Sequence, residues 1–389
     1  MVDIFTIPFI YAFIGSSLFI AIPLRIMDLG VSDPFILGLA GSVFSIFYAP
    51  LCILQSLLSN RLNKRTAILS VSIVYPFIIL GFLLFNNIPA VLILCGLMGI
   101  VLSMFWPTYQ SHITIGLNPA QTTRNLQRFN IGWGSAAVTG FFMGGVIISG
   151  ININMLFILN LILSFIGAYL VARHIHNKST DSRGCTQNKQ SNLFQTGVIT
   201  KNNNIQSFLI LAWIGVFAVF FSMGVIVWLF PKFATDVGVS PLIIGSLRAV
   251  LGIFQVVIFF ILRSNHRWQY SFVHLFFYEL MLIAGLIILV FFHNVMWWLL
   301  AFSLIGVTVG FLYSSSLFYS SQARSVKREK TGFHEAILAS GGLLGTLLGG
   351  IIAKVFSASG AYSMCIIFMI ICIIIQWVVR FRYKTGEIL

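Results

Sequence analysis

Charge is what this sequence has least of. Only 8% of its 389 residues are Asp, Glu, Lys or Arg, and the acids number nine. A soluble domain carries about 25% charge, and no water-exposed fold of this length could hide a composition that is 58% hydrophobic. A soluble class is thereby excluded, and the bilayer is the solvent. Absent too is any Gly-x-x-x-x-Gly-Lys-Ser/Thr run, which removes the usual phosphate cradle of an ATP-driven pump. His334-Glu335 is followed by no second histidine at zinc-protease spacing, and no aspartates cluster within an apolar run. The chain reads as a non-enzyme with no cofactor and no metal. Cysteines are few. Cys52, Cys95, Cys365 and Cys372 sit inside apolar segments and Cys185 in a polar loop, a pattern of inert buried thiols and not of a disulfide framework. The first apolar run lacks a basic n-region and a small-residue cleavage site, so it is expected to be a retained span.

What is present is a repeat. Pro23, Asp28, Gly30, Val31 and Ser32 return as Pro231, Asp236, Gly238, Val239 and Ser240. Pro34 and Gly38 return as Pro241 and Gly245, and Gly140, Gly144 and Gly145 as Gly345, Gly349 and Gly350. One unit is used twice in the same order. In so apolar a chain, that points to a transporter whose halves move about a central site.

Twelve segments reach the roughly 20 apolar residues that a spanning helix needs: 4–24, 35–58, 66–86, 89–113, 127–149, 152–173, 206–230, 241–262, 270–292, 295–320, 333–356 and 359–380. The expected fold is all-α and integral to the membrane, with twelve helices in two parallel-repeat six-helix bundles. Its domains are 1–173, a cytoplasmic linker 174–205 rich in Asn, Ser, Thr and Gln, and 206–389. His174 and His176 in that linker form a His-x-His pair, too few ligands for a structural metal site. Nineteen of the 23 Lys and Arg fall in alternate connections or at the C-terminus. That bias places both termini in the cytoplasm of a multi-pass cell-membrane protein, and it accounts for the net charge of +14 without nucleic acid.

Ser56 to Arg65 occupies the connection between the second and third spans and keeps Arg61, Lys64 and Arg65, with Asn60 in place of an acid. Gly140, Gly144 and Gly145 fall on the fifth span; Gly341, Gly345, Gly349 and Gly350 fall on the eleventh. With the six-plus-six spans and the polar middle loop, these residues resemble the major facilitator superfamily over nearly the whole chain. The first window is similar to the family's Gly-x-x-x-Asp-Arg-x-Gly-Arg-Arg motif. The second is similar to Gly-x-x-x-Gly-Pro-x-x-Gly-Gly of its exporters, with Phe141 at the proline position. The resemblance implies alternating access, a monomer, and a cavity faced by the first, fourth, seventh and tenth helices. It makes Arg61, Arg65, Gly140, Gly144, Gly345, Gly349 and Glu335 candidate gating residues. Topology setting by the basic groups, and static packing by the glycines, stand as equally physical readings.

Candidate substrate-binding residues on those four helices are Tyr11, Ser103, Trp106, Gln110, Trp213, Phe217, Tyr313 and Ser316, with Arg248 from the eighth. Ser103, Trp106 and Gln110 are spaced i, i+3, i+7, as are Tyr313, Ser316 and Ser320, so each trio shares one helix face. Such faces avoid lipid, and aromatic walls suit ring-bearing solutes. Glu279 is the one acid deep in a span. Its depth differs from that of Arg248 by about 6 Å at 1.5 Å per residue, which predicts a Glu279–Arg248 pair, either a coupling pair or a fixed pin between helices. The function expected is a secondary transporter of a small organic solute, proton-coupled by resemblance and favouring export. The alternatives are a facilitative uniporter or importer of a sugar-like or organic-anion solute, and a non-transporting receptor or scaffold.

Overall fold

The computed structural model describes residues 3–58, 63–114, 119–181, 203–264, 267–322 and 327–385, and every regular element among them is helical. In chain order the helices are α1 (Asp3–Asp28), α2 (Pro34–Leu58), α3 (Lys64–Leu84), α4 (Ile88–Thr114), α5 (Pro119–Gly150) and α6 (Ile153–Asp181), then α7 (Asn203–Trp228), α8 (Phe230–Asp236), α9 (Pro241–Ser264), α10 (Phe272–Phe291), α11 (Val295–Gln322) and α12 (Lys327–Thr385). Among the described residues, eleven helices are long and apolar enough to cross a membrane. The last, α12, holds two spans across a break at Ser357, where φ is 67°. Twelve crossings result, because a helix satisfies its own backbone groups in lipid.

The clearest differences from the sequence reading lie around the linker and after α7. Helix α6 runs on to Asp181 and α7 begins at Asn203, so both ends of the expected linker are helical and only 182–202 lie outside the described residues. The short α8 was not expected. It begins on Phe230-Pro231, where proline suits a first helical turn.

The duplication is visible in the turns. Helix α1 ends at Gly30 (φ 83°) and α8 at Gly238 (φ 79°). Gly30 N–H donates to the Met27 carbonyl and Val31 N–H to that of Ile26; Gly238 and Val239 donate likewise to Thr235 and Ala234. This is the same Schellman stop twice, and its left-handed position is why glycine stands there in both copies. Between spans, Asn87, Asn152 and Asn294 each accept a backbone N–H of the helix that follows, the capping that ends short antiparallel connections.

Helix pairing follows the repeat. Helix α1 packs on α5 as α7 packs on α12, α2 on α4 as α9 on α11, and α3 on α6 as α10 on α12. The halves meet chiefly through two crossings, α2 with α12 and α5 with α9. Each is built on glycine. A Cβ at Gly145 would stand 2.6 Å from the Pro241 carbonyl oxygen and 3.1 Å from Gly245 Cα. One at Gly350 would stand 2.9 Å from the Pro34 carbonyl oxygen and 3.3 Å from Gly38 Cα. Backbones approach this closely only where no side chain intervenes.

Candidate functional site

Between the halves lies a cavity of about 280 Å³. Helices from both halves wall it, and the walls are largely aromatic: Tyr11 and Phe19 of α1, Phe44 and Tyr48 of α2, Trp106 of α4, Trp133 and Phe141 of α5, Phe220 and Trp228 of α7, Tyr313 of α11. Several of these rings are fixed by one another. Tyr11 stacks on Phe105 at 4.1 Å between centroids, Phe19 meets Trp228 edge-on at 5.8 Å, and Trp133 of one half stacks on Tyr313 of the other at 5.5 Å. Offset and edge-on rings of this kind make rigid walls.

Among the described residues, one basic and one acidic side chain reach the cavity. Arg248 on α9 is 4% exposed and lies over the Phe141 ring, 4.4 Å from its centroid. Its Nη1 has no hydrogen-bond partner among the described residues. Glu335 on α12 is tied to the opposite half: Tyr48 O–H donates to one carboxylate oxygen at 3.1 Å and Gln110 Nε2 to the other at 3.3 Å. The acid thus bridges α2 and α4 to α12. Beside it, His334 Nδ1 is 2.7 Å from Ser316 Oγ with its ring against Tyr313. Gln255 also lines the space, its Nε2 unpartnered among the described residues.

Of the candidate binding residues, Tyr11, Trp106, Gln110, Arg248 and Tyr313 come together here. Four do not. Ser103 donates to the Ile100 carbonyl within its own helix. Trp213 donates to Ser320, Phe217 pairs with Phe368, and Ser316 is engaged by His334. The predicted Glu279–Arg248 pair is overturned. No ion pair or hydrogen bond joins them among the described residues; Glu279 accepts instead from Gln376. Similar depth in the membrane brought the two within reach of long side chains, but helix rotation turned Arg248 into the cavity and Glu279 into the interior of its own half.

The candidate gating glycines pack inside each half. Gly140 and Gly144 pack on Phe13 and Ile20 of α1, and Gly345 and Gly349 on Phe221 and Val225 of α7, all within a half. The crossings between halves use their neighbours Gly145 and Gly350. Arg61 lies outside the described residues. Arg65 opens α3 under an Asn63 cap, and no ion pair reaches it among the described residues. Sequence reasoning missed the walls given by α2, α5 and α12, namely Phe44, Tyr48, Trp133 and Phe141 with Thr346. The signal available for them was the glycine repeat: helices that cross between halves must flank the space between them.

At the end of the bundle away from the chain termini, each crossing carries a further tie. Lys354 Nζ meets Asp33 Oδ2 at 2.7 Å, and Leu242 N–H donates to Ser149 Oγ at 2.8 Å. The hydrogen bond from Lys354 holds the Asp33 carboxyl below the usual carboxylate range.

No curated protein sequence matches this one significantly, but solved structures do. A bacterial homologue of the human lysosomal transporter Spinster, in an inward-facing unoccupied conformation, aligns over 99% of this chain and 97% of its own, with 14% identity and a TM-score of 0.74. A POT family transporter in complex with 5-aminolevulinic acid aligns over 98% and 96%, with 11% identity and a TM-score of 0.71. The nucleoside transporter NupG aligns over 98% of both chains, with 12% identity and a TM-score of 0.65. At such identities the likeness is one of fold. The sequence itself matches the Major Facilitator Superfamily profile over residues 4–333, most of its length and all of the cavity walls except those of α12 beyond that point. This is a multi-pass membrane protein of a transporter family that moves small molecules: the chain belongs to the Major Facilitator Superfamily.

Proposed function

We propose that the protein is a secondary transporter of a small, ring-bearing organic solute that carries an anionic group, working by alternating access. The halves 1–173 and 206–389 rock about the cavity, with the linker 174–205 and both termini on the cytoplasmic face of the plasma membrane. One observation carries the substrate class: the buried Arg248 guanidinium among aromatic walls, its Nη1 without a partner among the described residues. Arginine presents fixed parallel donors to carboxylate or phosphate, and rings stack a planar solute. The bound ligand of the POT relative is itself a carboxylic acid, and nucleosides are ring-bearing solutes. Glu335 supplies the moving part. Its bonds to Tyr48 and Gln110 hold the halves together beside the solute, and a solute that draws on either donor loosens them. Export is the favoured direction on the glycine pattern of α5 and α12. Facilitative uniport is the second reading, favoured by Glu335 being, among the described residues, the one acid that lines the cavity.

A thermal-shift screen of aromatic carboxylates and phosphates against uncharged aromatics tests the substrate class, followed by flux of the hits into proteoliposomes. Anionic hits should raise the melting temperature. Arg248→Met should weaken their binding roughly 100-fold, within the 2–5 kcal/mol lost when one partner of a buried charge pair is removed. Equal shifts with uncharged rings would sink the anion assignment. Binding without any flux would point to the non-transporting scaffold.

A further inference from the structure

The second half buries one acid that the solute site does not use. Glu279 on α10 is 0% exposed. Its Oε1 accepts from Gln376 Nε2 on α12 at 2.7 Å, and the same amide nitrogen donates to the Leu211 carbonyl of α7 at 2.9 Å. Gly215 on α7 leaves the room for this: a Cβ there would fall 2.7 Å from Glu279 Oε1 and 3.2 Å from Gln376 Nε2. Three helices therefore meet on one carboxyl group.

No cation meets it. From α7 it faces Gly215, from α11 Leu312, and from α12 Gln376 and the thiol of Cys372. Arg380, one turn beyond Gln376, lies over the Phe272 ring at 4.2 Å and makes no ion pair with Glu279 among the described residues. An unpaired carboxylate at this depth is costly, and one amide hydrogen bond does not offset that cost. A proton removes the charge and adds a donor. The site already holds the acceptor for it. Its two oxygens without a partner among the described residues are Glu279 Oε2 and Gln376 Oε1, on the very groups the N–H···O bond has joined.

We propose that Glu279 and Gln376 form a proton-binding site inside the second half, separate from the solute cavity, in which the Glu279 carboxyl holds its proton as an acid–amide pair with Gln376. Release passes the proton to bulk water and leaves a carboxylate beside an amide oxygen, two acceptors with nothing between them. That repulsion bears on α7 through Leu211 and Gly215, and α7 continues to Phe220 and Gly224 on the cavity wall. The site gives the transporter a proton register that does not compete with solute for Arg248.

Infrared spectroscopy of the full-length protein in bilayers tests this without any solute, so its outcome is independent of the substrate class proposed above. The expected result is a protonated-carboxyl carbonyl band that persists at neutral pH, is lost at alkaline pH, and is missing from Glu279→Gln. Gln376→Leu, which keeps the acid and removes its partner, should shift the band to higher frequency. Absence of the band at neutral pH, its persistence in Glu279→Gln, or no shift in Gln376→Leu would each overturn the proposal.

Discussion

The two crossings between the halves share a backbone and differ in chemistry. At α2/α12, Gly38 meets Gly350, and around that contact the ties are polar: Asp33–Lys354 at the outer rim of the crossing, Ser42 Oγ with Thr346 Oγ1 at 2.8 Å, then Tyr48–Glu335. At α5/α9, Gly145 meets Gly245, but beyond the Ser149–Leu242 bond the contacts are apolar or aromatic: Val138 on Gly252, Phe141 under Arg248, Trp133 toward Phe259. The duplicated glycines fix how closely the helices approach. The unduplicated side chains decide how they part. In the alternating access proposed above, the α2/α12 crossing would open by exchanging hydrogen bonds and the α5/α9 crossing by sliding packed surfaces.

The strongest test of this comparison is at the shared element. Gly145→Val and Gly350→Val each force a side chain against a carbonyl oxygen, and overpacking of this kind costs about 1–3 kcal/mol. Both should lower the melting temperature and expose the end of the bundle bearing Ser32 to a thiol reagent acting on a cysteine placed there. If only one variant does so, the crossings are not mechanically equivalent. Glu335→Gln comes next. It leaves one of two donors without an acceptor, a loss of about 1.5–3 kcal/mol for a charged hydrogen bond, whereas Phe141→Leu at the other crossing gives up a cation–π contact of roughly 0.5–2 kcal/mol. Cross-linking between α2 and α12 near Tyr48 should fall more in Glu335→Gln than cross-linking between α5 and α9 falls in Phe141→Leu; the reverse order would break the polar-versus-sliding distinction.

The smallest effect belongs to Asp33→Asn. The pair is exposed and contributes about 1 kcal/mol or less, an amount that should fade in high salt. Because Lys354 depresses the carboxyl's folded-state pKa, its stabilisation is present above the ordinary carboxylate range and is lost as pH falls through the lowered value. Wild type and Asp33→Asn should therefore differ in melting temperature at neutral pH and converge in acid; a difference that grew in acid would reverse the sign.

The fold was largely legible because it rests on length and sterics. Apolar runs gave the spans, and glycines forced by a positive φ at Gly30 and Gly238, or by helix contact at Gly145 and Gly350, kept the repeat in view. The cavity was legible by half. Trp106, Gln110 and Tyr313 were read from a shared helix face and Arg248 from its charge within a span, whereas the choice of cavity helices, and Tyr11 with it, came from the family resemblance. Trp213 and Ser316 satisfy the same rule, yet they spend their polar atoms on Ser320 and His334. Spacing says which residues share a face, not which neighbour that face meets. The Glu279–Arg248 pair failed for the same reason: depth is readable from sequence, azimuth about the helix axis is not. Glu279's partner lay 97 residues further on, at Gln376, a neutral residue that no search for countercharges would pick out.

Gly38 corresponds in the repeat to Gly245, and Gly145 to Gly350, yet Gly38 touches Gly350 and Gly145 touches Gly245. Each copy offers its first patch to the other's second. That is the contact rule of a self-complementary homodimer, where i meets j and j meets i. A single six-helix precursor that could pair with its own twin would already possess both seams of this molecule, and joining two such chains end to end would require only a tether, with no new interface.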